Sequence, residues 1–210
     1  MGNAIVKSFL LGMVGTNCYI LTNPDTKESV IVDPADNALR ISSYIDGCGY
    51  KAAAILLTHG HFDHIMAVDD LRKKYGIPVY AHEDESGTLE DPRINLTGMY
   101  GRGLSVKADS YVKDGQVLDI AGFSIKVLHT PGHTCGSCCY YIESEKLLFS
   151  GDTLFRTSVG RTDFPTGSFS AIVRSIREKI FVLPDDVRVL PGHDMETTVG
   201  FEKKYNPFVV

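Results

Sequence analysis

The amino-acid sequence predicts an α/β fold, in which strands and helices alternate along the chain. Short apolar runs rich in β-branched residues recur between turn signals, as in residues 29–32. Segments with helical spacing follow several of these runs, as in residues 37–45. The apolar run at residues 52–57 leads directly into the polar stretch T-H-G-H-F-D-H. A buried strand that ends in polar residues before a helix is where an α/β protein usually places its chemistry.

The first half of the chain predicts strands joined by helices. Apolar and β-branched residues place strands at 4–11, 18–21, 29–32, 52–57 and 78–81. Asn23-Pro24-Asp25 is a turn signal between the second and third of these strands. Helical spacing predicts a helix at 37–45 that stops near Gly47 and another at 65–75 that ends at Gly76. Residues 83–103 are polar and irregular, and we predict a short helix there with a loop that borders the site.

The second half repeats this order. Strands are predicted at 117–120, 123–128, 138–142, 146–149 and 188–190. A helix is predicted at 168–180, where Ile172, Ile176 and Ile180 belong to one apolar stripe. Because both halves run from strands to a helix, the sequence indicates an internal pseudo-repeat.

Composition limits the classes of protein that this chain can represent. A length of 210 residues, with 43% hydrophobic residues, is enough for a large core, so we expect a single domain over residues 1–210. Lys and Arg number 21 against 26 Asp and Glu, which leaves no basic surplus to bind nucleic acid or an anionic membrane. The apolar run at 9–14 is too short to span a bilayer, and it has no cleavage pattern of a signal peptide. Val6 stands where a myristoylation motif after Met1-Gly2 needs Ser or Thr, so we expect a cytoplasmic protein.

The five cysteines do not form two spaced pairs, so neither a disulfide scaffold nor a zinc ribbon follows. Cys135-Gly136-Ser137-Cys138 has the C-x-x-C spacing, but a thioredoxin-like role would require it to open a helix. The residues from Cys138 onward predict a strand instead. We therefore expect the cysteines to be small buried hydrophobic residues.

The stretch Thr58–His64 carries three histidines and one aspartate within a few positions. Imidazole and carboxylate are ligands for zinc, iron or manganese. His59 and His61 are two residues apart, so in an extended segment they point the same way, whereas Asp63 and His64 point elsewhere. One short loop can therefore serve two metal ions. The alternative interpretation is a solvated polar turn after a strand.

Further polar motifs follow later predicted strands. In chain order the motifs are T-H-G-H-F-D-H, T-P-G-H-T, G-D-T-L-F and P-G-H. This series resembles the metallo-β-lactamase fold superfamily over nearly the whole chain. The resemblance implies an αββα sandwich of two mixed sheets with helices on the outer faces and two metal ions at one edge. It also implies that His59, His61 and His133 hold one ion, that Asp63, His64 and His193 hold the other, and that Asp152 bridges them.

These ligands imply the chemistry of hydrolysis. Two ions roughly 3.5 Å apart can share a water molecule and lower its pKa, so that a metal-bound hydroxide attacks a carbonyl carbon. We expect Asp63 and Asp152 to act in catalysis together with that hydroxide. We expect zinc, although iron and manganese suit the same ligands. The sequence has no G-x-S-x-G motif that would indicate a nucleophilic serine.

Within the superfamily, the chain resembles glyoxalase II and its short relatives. Thr16-Asn17-Cys18-Tyr19, Asp33-Pro34 and Gly151-Asp152-Thr153-Leu154-Phe155 are typical of that group. The resemblance implies hydrolysis of a small-molecule thioester such as S-lactoylglutathione. Full-length glyoxalase II continues into a helical C-terminal region with basic residues for glutathione, which this short form is expected to lack. Arg161 stands where the family places a basic substrate-binding residue, and its alternative role is a structural ion pair.

A second enzyme class keeps an alternative open. Persulfide dioxygenases share this fold, and the chain resembles them at G-R-T-D-F, residues 160–164, and at residues 178–184. Those enzymes use one iron at the site equivalent to His59, His133 and Asp152. The G-D-T-L-F and P-G-H motifs and the segment at 202–208 favour the hydrolases. A non-catalytic metal-binding module is a third and weaker interpretation, because a complete open site suits hydrolysis.

The other two histidines are not predicted to bind metal. His82 ends a predicted strand without a neighbour of ligand type. His129 precedes Thr130-Pro131, and we expect it to order the loop around His133.

Overall fold

Two six-stranded sheets pack face to face, and helices cover their outer faces. A computed structural model describes residues 4–101 and 103–209. The strands of the first sheet lie between residues 5 and 112, and those of the second between residues 117 and 198. This is the predicted αββα sandwich, so the fold prediction is confirmed. The single domain over 1–210 stays a prediction, and residues 1–3, 102 and 210 within it lie outside the described residues.

The first sheet is antiparallel at one side and parallel at the other. In order across the sheet, its strands are β1 (Ile5–Leu11), β2 (Thr16–Thr22), β3 (Glu28–Val32), β4 (Lys51–Leu56), β5 (Val79–His82) and β6 (Ser110–Val112). The connections contain α1 (Ala38–Gly47), α2 (Phe62–Ile65), α3 (Val68–Tyr75) and α4 (Ser86–Glu90). Strands β3 to β6 are parallel, so the carboxyl ends of β3 and β4 lie at the same edge of the sheet.

The second sheet is formed by the second half of the chain. Its strands in chain order are β7 (Val117–Ile120), β8 (Phe123–His129), β9 (Cys138–Ile142), β10 (Leu147–Gly151), β13 (Arg188–Pro191) and β14 (Thr197–Thr198). A separate hairpin of β11 (Leu154–Phe155) and β12 (Ser158–Val159) follows β10. The helices are α5 (Phe169–Ser175), which continues as a π-helical turn at Ile176–Ile180, and α6 (Val199–Tyr205). The order across the sheet is β14-β13-β10-β9-β8-β7, with β10 and β13 parallel.

Three apolar layers hold the sandwich together. Between the sheets, Val30 and Leu56 pack with Val127 and Tyr140. On the outside of the first sheet, the apolar faces of α1 and α3 cover the strands, and on the outside of the second sheet the stripe of α5 predicted from the sequence does the same. Each full burial of a large aliphatic side chain contributes about 1.5–3 kcal/mol.

The predicted helix at 65–75 differs from the structure. The chain forms two helices instead, and the first begins at Phe62, inside the polar stretch. Asp63 and His64 are therefore helical, and the His64 ring lies beside that of His59, with the ring centroids 4.1 Å apart. The strands that prediction missed, β6, β11, β12 and β14, are only two or three residues long, too short for a periodic pattern.

Three of the five cysteines are buried and two are exposed. Cys18, Cys138 and Cys139 are buried as predicted, and Cys138 begins β9. Cys48 and Cys135 are exposed, so the prediction of burial was wrong for these two. Cys48 lies at the end of α1, and Cys135 lies in a loop, where neither sheet covers it.

Among the described residues, no helix is both long enough and apolar enough to cross a lipid bilayer.

Candidate metal centre

The seven predicted ligands meet at one edge of the two sheets. The ends of β4, β8, β10 and β13 are followed by His59, His133, Asp152 and His193, respectively. The two sheets are joined at this edge, because the backbone N–H of Asn17 in β2 donates to the carbonyl oxygen of Gly192 at 2.7 Å. Strand ends from both halves of the chain thus supply one site.

His59, His61 and His133 form a first set of donors. One ring nitrogen from each lies within 4.8 Å of the others, and all three side chains are buried. His61 Nδ1 and His133 Nε2 are 2.8 Å apart. His133 Nδ1 donates to the carbonyl oxygen of Arg161 at 2.7 Å, so Nε2 is the ring nitrogen available to a metal ion.

Asp63, His64 and His193 form a second set, with donor atoms again within 4.8 Å of one another. Asp63 Oδ2 lies 3.1 Å from His193 Nε2 and 3.5 Å from His64 Nε2. Asp152 lies between the sets, since its Oδ2 is 3.5 Å from both His133 Nε2 and His193 Nε2. That is the position predicted for a bridging carboxylate.

The donor atoms fit a dinuclear metal centre. His59 Nε2, His61 Nε2, His64 Nε2 and Asp152 Oδ1 are buried and have no hydrogen-bond partner among the described residues. Unpartnered buried polar atoms are costly, and cations between them offset that cost. A Cβ on Gly192 would lie 2.2 Å from Asp152 Oδ1, so only glycine fits beside the carboxylate. The donor set suits zinc, iron or manganese alike, and the individual ligand roles stay predictions.

The first set is electrostatically prepared to bind a metal. Burial, and after it the neighbouring His133 ring, lower the pKa of His61 to about 3. Burial also holds the pKa of His59 well below the usual range, and that of His133 below it. These imidazoles are therefore neutral at physiological pH, which is the form that binds a metal ion.

In the second set, the pKa of His64 is shifted in the opposite direction. Burial opposes protonation of His64, but the carboxylates of Asp63 and Asp152 raise its pKa well above the usual range. Burial would raise the pKa values of the two aspartates, and the neighbouring His64 lowers them instead. This half of the site therefore favours positive charge.

Two residues that contact the ligands were missed as site residues by the sequence analysis. Asp33 follows β3 and accepts hydrogen bonds from the Thr58 amide at 2.8 Å and from His64 Nδ1 at 2.9 Å. Thr16 Oγ1 in β2 donates to Asp63 Oδ2 at 2.7 Å. Both positions belong to motifs that had been assigned only to the glyoxalase II resemblance. For Asp33, the available signal was a polar residue directly after an apolar strand.

A cavity of about 260 Å³ opens onto the two sets. His61, Asp63, His133, Asp152 and His193 line it together with the apolar side chains of Val14, Phe62, Leu96, Phe155 and Phe164. Arg161 is the only Lys or Arg among the described residues that line this cavity. A substrate would therefore meet apolar walls, the metal donors and one guanidinium.

Arg161 combines both roles that the sequence left open. Its side chain forms an ion pair with Asp163, with Nε–Oδ1 and Nη2–Oδ2 distances of 2.9 and 2.7 Å. The guanidinium also lies over the Phe164 ring, 4.1 Å from the ring centroid. The Arg161 side chain is thus held by two neighbours, and it is exposed at the rim of the cavity that Arg161 lines. Its role in substrate binding stays a prediction.

His82 and His129 form a stacked pair outside the centre. Their ring centroids are 3.8 Å apart with an interplanar angle of 9°, and Asp84 lies beside them. The expectation that His82 has no neighbour of ligand type was wrong. Parallel rings at this separation cannot both direct an in-plane lone pair at one ion. His129 Nε2 donates instead to the carbonyl oxygen of Cys135 at 2.9 Å, so it orders the loop after His133 as predicted.

Two curated relatives are similar over nearly their full length. A probable metallo-hydrolase, YqgX of Bacillus subtilis, is 41% identical over 202 residues, which is 95% of this chain and 94% of that protein. The hydroxyacylglutathione hydrolase GloC of Haemophilus influenzae is 33% identical over 199 residues, which is 92% of each chain.

Two solved structures share the fold closely. BLEG-1, a B3 metallo-β-lactamase, is 43% identical with a TM-score of 0.93, covering 98% of this chain and all of that one, 100%. TTHA1623 in a di-iron-bound form is 33% identical with a TM-score of 0.86, covering 96% of this chain and 99% of that one. The family model of the metallo-beta-lactamase superfamily matches residues 11–193, which span the candidate metal centre from before β2 to His193. The chain therefore belongs to the metallo-β-lactamase superfamily.

Proposed function

We propose that this protein is a dinuclear metal-dependent hydrolase that cleaves a thioester. The observation that carries the proposal is the position of Asp152 between two complete donor sets that open onto one cavity. YqgX, described as a probable metallo-hydrolase, supports the reaction type, and GloC, described as a hydroxyacylglutathione hydrolase, supports the substrate class.

Each of the predicted ligands would bind one or both of the two metal ions. His59, His61 and His133 would hold one ion, Asp63, His64 and His193 the other, and Asp152 both. Two bound ions supply activation of water and polarisation of a carbonyl group. Thr16 fixes the carboxylate of Asp63, and the Arg161 carbonyl fixes the ring of His133, so both donors keep one orientation.

A thioester fits the surroundings of the donors. Its thiolate leaves without taking up a proton, so cleavage needs no side chain that acts as an acid. The apolar walls of Phe62, Phe155 and Phe164 would exclude water around the acyl group. Arg161 is placed to meet a carboxylate of the thiol portion, as glutathione carries. A glutathione thioester is therefore the first substrate to test.

The test is steady-state hydrolysis after reconstitution with zinc, iron(II) or manganese(II). We expect turnover of S-lactoylglutathione, and turnover of the lactoyl thioester of N-acetylcysteamine with a higher KM. The second substrate keeps the reacting group and lacks the peptide. Failure of all three metal forms to hydrolyse either thioester would overturn the proposal.

Two other reactions belong in the same assay. The resemblance to persulfide dioxygenases in residues 160–164 makes iron-dependent oxygen uptake with glutathione persulfide the alternative. However, a mononuclear iron site would leave the second donor set without a role. The likeness to a B3 metallo-β-lactamase favours a β-lactam as a further carbonyl substrate, for which nitrocefin is a convenient probe. Oxygen uptake without thioester or β-lactam hydrolysis would favour the dioxygenase.

A further inference from the structure

Glu85 is a buried carboxylate that the chemistry described above does not use. It ends the acidic run Glu83-Asp84-Glu85, which follows β5 and which the sequence analysis placed in a polar, irregular segment. Glu83 and Asp84 are exposed, whereas the exposed fraction of Glu85 is 0%. No described Lys or Arg forms an ion pair with it. A carboxylate without a cation is rarely buried, so its contacts require an explanation.

Glu85 accepts hydrogen bonds from both loops that carry the first donor set. Its Oε1 accepts from the amide of Gly60 at 2.8 Å, and Gly60 stands between His59 and His61. Its Oε2 accepts from Thr134 Oγ1 at 2.8 Å and from the amide of Gly136 at 2.9 Å. Thr134 directly follows His133. One side chain from a third segment thus ties the His59–His61 loop to the His133 loop.

Two of the three contacts require a group that accepts hydrogen bonds on both oxygens. Two of the three donors are backbone amides, which cannot reverse direction. An ionised carboxylate offers acceptor sites on both oxygens, whereas a glutamine would point its amide group at one of these N–H groups. Burial raises the pKa of Glu85 and the hydrogen bonds from Thr134, Gly60 and Gly136 lower it, so that the net pKa is about 7.

The His133 loop also approaches the Glu85 segment too closely for most side chains. A Cβ on Gly136 would lie 2.2 Å from the Glu85 backbone nitrogen. Cys135 Sγ donates to the carbonyl oxygen of Asp84 at 3.2 Å. The backbone of the His133 loop therefore packs directly on this segment. The hydrogen bonds of Glu85 fix the distance between this loop and Gly60.

We propose that Glu85 is a positioning residue that sets the affinity of the first metal site by holding His59 and His61 at a fixed distance from His133. The proposal rests on the dinuclear centre of the proposed function. Partners that orient metal ligands typically change metal affinity about 10- to 100-fold when they are removed. Asp33 acts in the same way on His64, but by direct contact, whereas Glu85 acts through the backbone of the two loops.

The test measures zinc affinity by chelator competition in two backgrounds that each leave one donor set intact. His193→Ala leaves the first set complete, and His61→Ala leaves the second set complete. We expect Glu85→Gln to weaken zinc binding about 10-fold or more in the His193→Ala background. In the His61→Ala background the same substitution should change zinc affinity less than about twofold.

Glu202→Gln is the matched control. Glu202 is also fully buried, at 0% exposure, and accepts from the Thr157 amide, Thr197 Oγ1 and Asn206 Nδ2 at 2.9, 2.6 and 2.8 Å. Its loss should lower the melting temperature and leave zinc affinity unchanged in both backgrounds. Thr134→Val removes one of the three donors to Glu85 and keeps the carboxylate. It should weaken the first site a few-fold and serves if Glu85→Gln does not fold.

The outcomes separate this proposal from the proposed function. Two zinc ions per wild-type chain, with unchanged affinity of the first site in Glu85→Gln or Thr134→Val, would overturn the positioning role and leave the dinuclear centre intact. Equal weakening of both sites would also overturn it, because it would indicate a general loss of structure. A wild-type chain that binds fewer than two ions would overturn the proposed function and the positioning role with it.

Discussion

At the scale of single residues, Arg161 shows how a backbone and a side chain of one residue divide their roles. Its carbonyl oxygen accepts from His133 Nδ1, while its guanidinium is paired with Asp163, and the residue lines the cavity. Arg161→Ala keeps the carbonyl and removes only the charge. We expect KM for S-lactoylglutathione to rise roughly 10-fold or more, the order expected for one hydrogen bond to a charged group, with a smaller change in kcat. Steady-state kinetics measure both.

Arg93→Ala is the control for that substitution. Arg93 forms the same kind of pair with an aspartate two residues away, Asp91, with an Nη2–Oδ2 distance of 2.6 Å. It does not line the cavity. The Arg93→Ala substitution should therefore leave both KM and kcat unchanged. A fall in kcat with constant KM in Arg161→Ala would contradict a role in binding the ground state.

His82 should make stability depend on pH at a point outside the metal centre. Burial lowers the pKa of His82 below its usual value of 6.5, and the stacked His129 lowers it further. As the pH falls, His82 therefore takes up a proton at a higher pH in the unfolded chain than in the folded chain. Stability from this group is present above pH 6.5 and is lost as the pH falls below it.

The comparison that isolates this effect is wild type against His82→Gln, both free of metal, by urea unfolding at several pH values. We expect the wild type to lose stability more steeply than the variant as the pH falls from about 7.5 to about 5. Groups distant from His82 are common to both proteins, so their contributions cancel in the difference. Parallel curves would show that His82 carries a proton equally well in the folded and unfolded chains.

At the scale of elements, the His133 loop is fixed by the helix that follows it. Gly132 has a φ of +143°, and a Cβ there would lie 2.3 Å from the backbone nitrogen of Ile172 in α5. Ser175 Oγ in the same helix donates to the carbonyl oxygen of Pro131 at 2.8 Å. The loop can therefore keep its position only with glycine at 132.

Gly132→Ala should lower the free energy of unfolding by at least about 2 kcal/mol, because helix and loop must separate and the backbone is strained. Gly47→Ala at the end of α1 has open space around the added methyl and should be neutral or slightly stabilising. Chemical denaturation of both variants gives the comparison. Equal stability of the two variants would mean that α5 adjusts without cost.

At the scale of the whole molecule, metal ions would link the two halves of the chain. The first half supplies His59, His61, Asp63 and His64, and the second half supplies His133, Asp152 and His193. Ions that bind only the folded chain stabilise it by mass action. We expect close to two equivalents of metal per chain after reconstitution and a lower melting temperature after chelation.

The metal content of variants distinguishes the bridging carboxylate from a terminal one. Asp63→Ala should lose one equivalent, while Asp152→Ala should lose more metal and activity than any single terminal variant, with the fold retained. Elemental analysis and circular dichroism are the measurements. A constant value of one metal, unchanged in His64→Ala and His193→Ala, would instead support the mononuclear alternative.

The sequence by itself determined the α/β class, the order of most strands and the polar motifs that gather at the candidate metal centre. Strand periodicity and the H-x-H-x-D-H spacing are local patterns, so residues 52–64 show them without any knowledge of the fold. The motifs around His133, Asp152 and His193 each come after a predicted strand, and their resemblance to the metallo-β-lactamase superfamily implied that these residues bind metal.

Only the tertiary structure decided how the donors are held. Thr134 and Glu85 are 49 residues apart, and Thr16 and Asp63 are 47 apart, so no local pattern indicates that either pair is in contact. Glu85 looks like its exposed neighbours Glu83 and Asp84 until the fold buries it. The stacking of His82 on His129 and the start of α2 at Phe62 also depend on the packing of distant segments. The physical reason is that burial and hydrogen-bond partners belong to pairs of segments, and the chain brings such pairs together only when both sheets are formed.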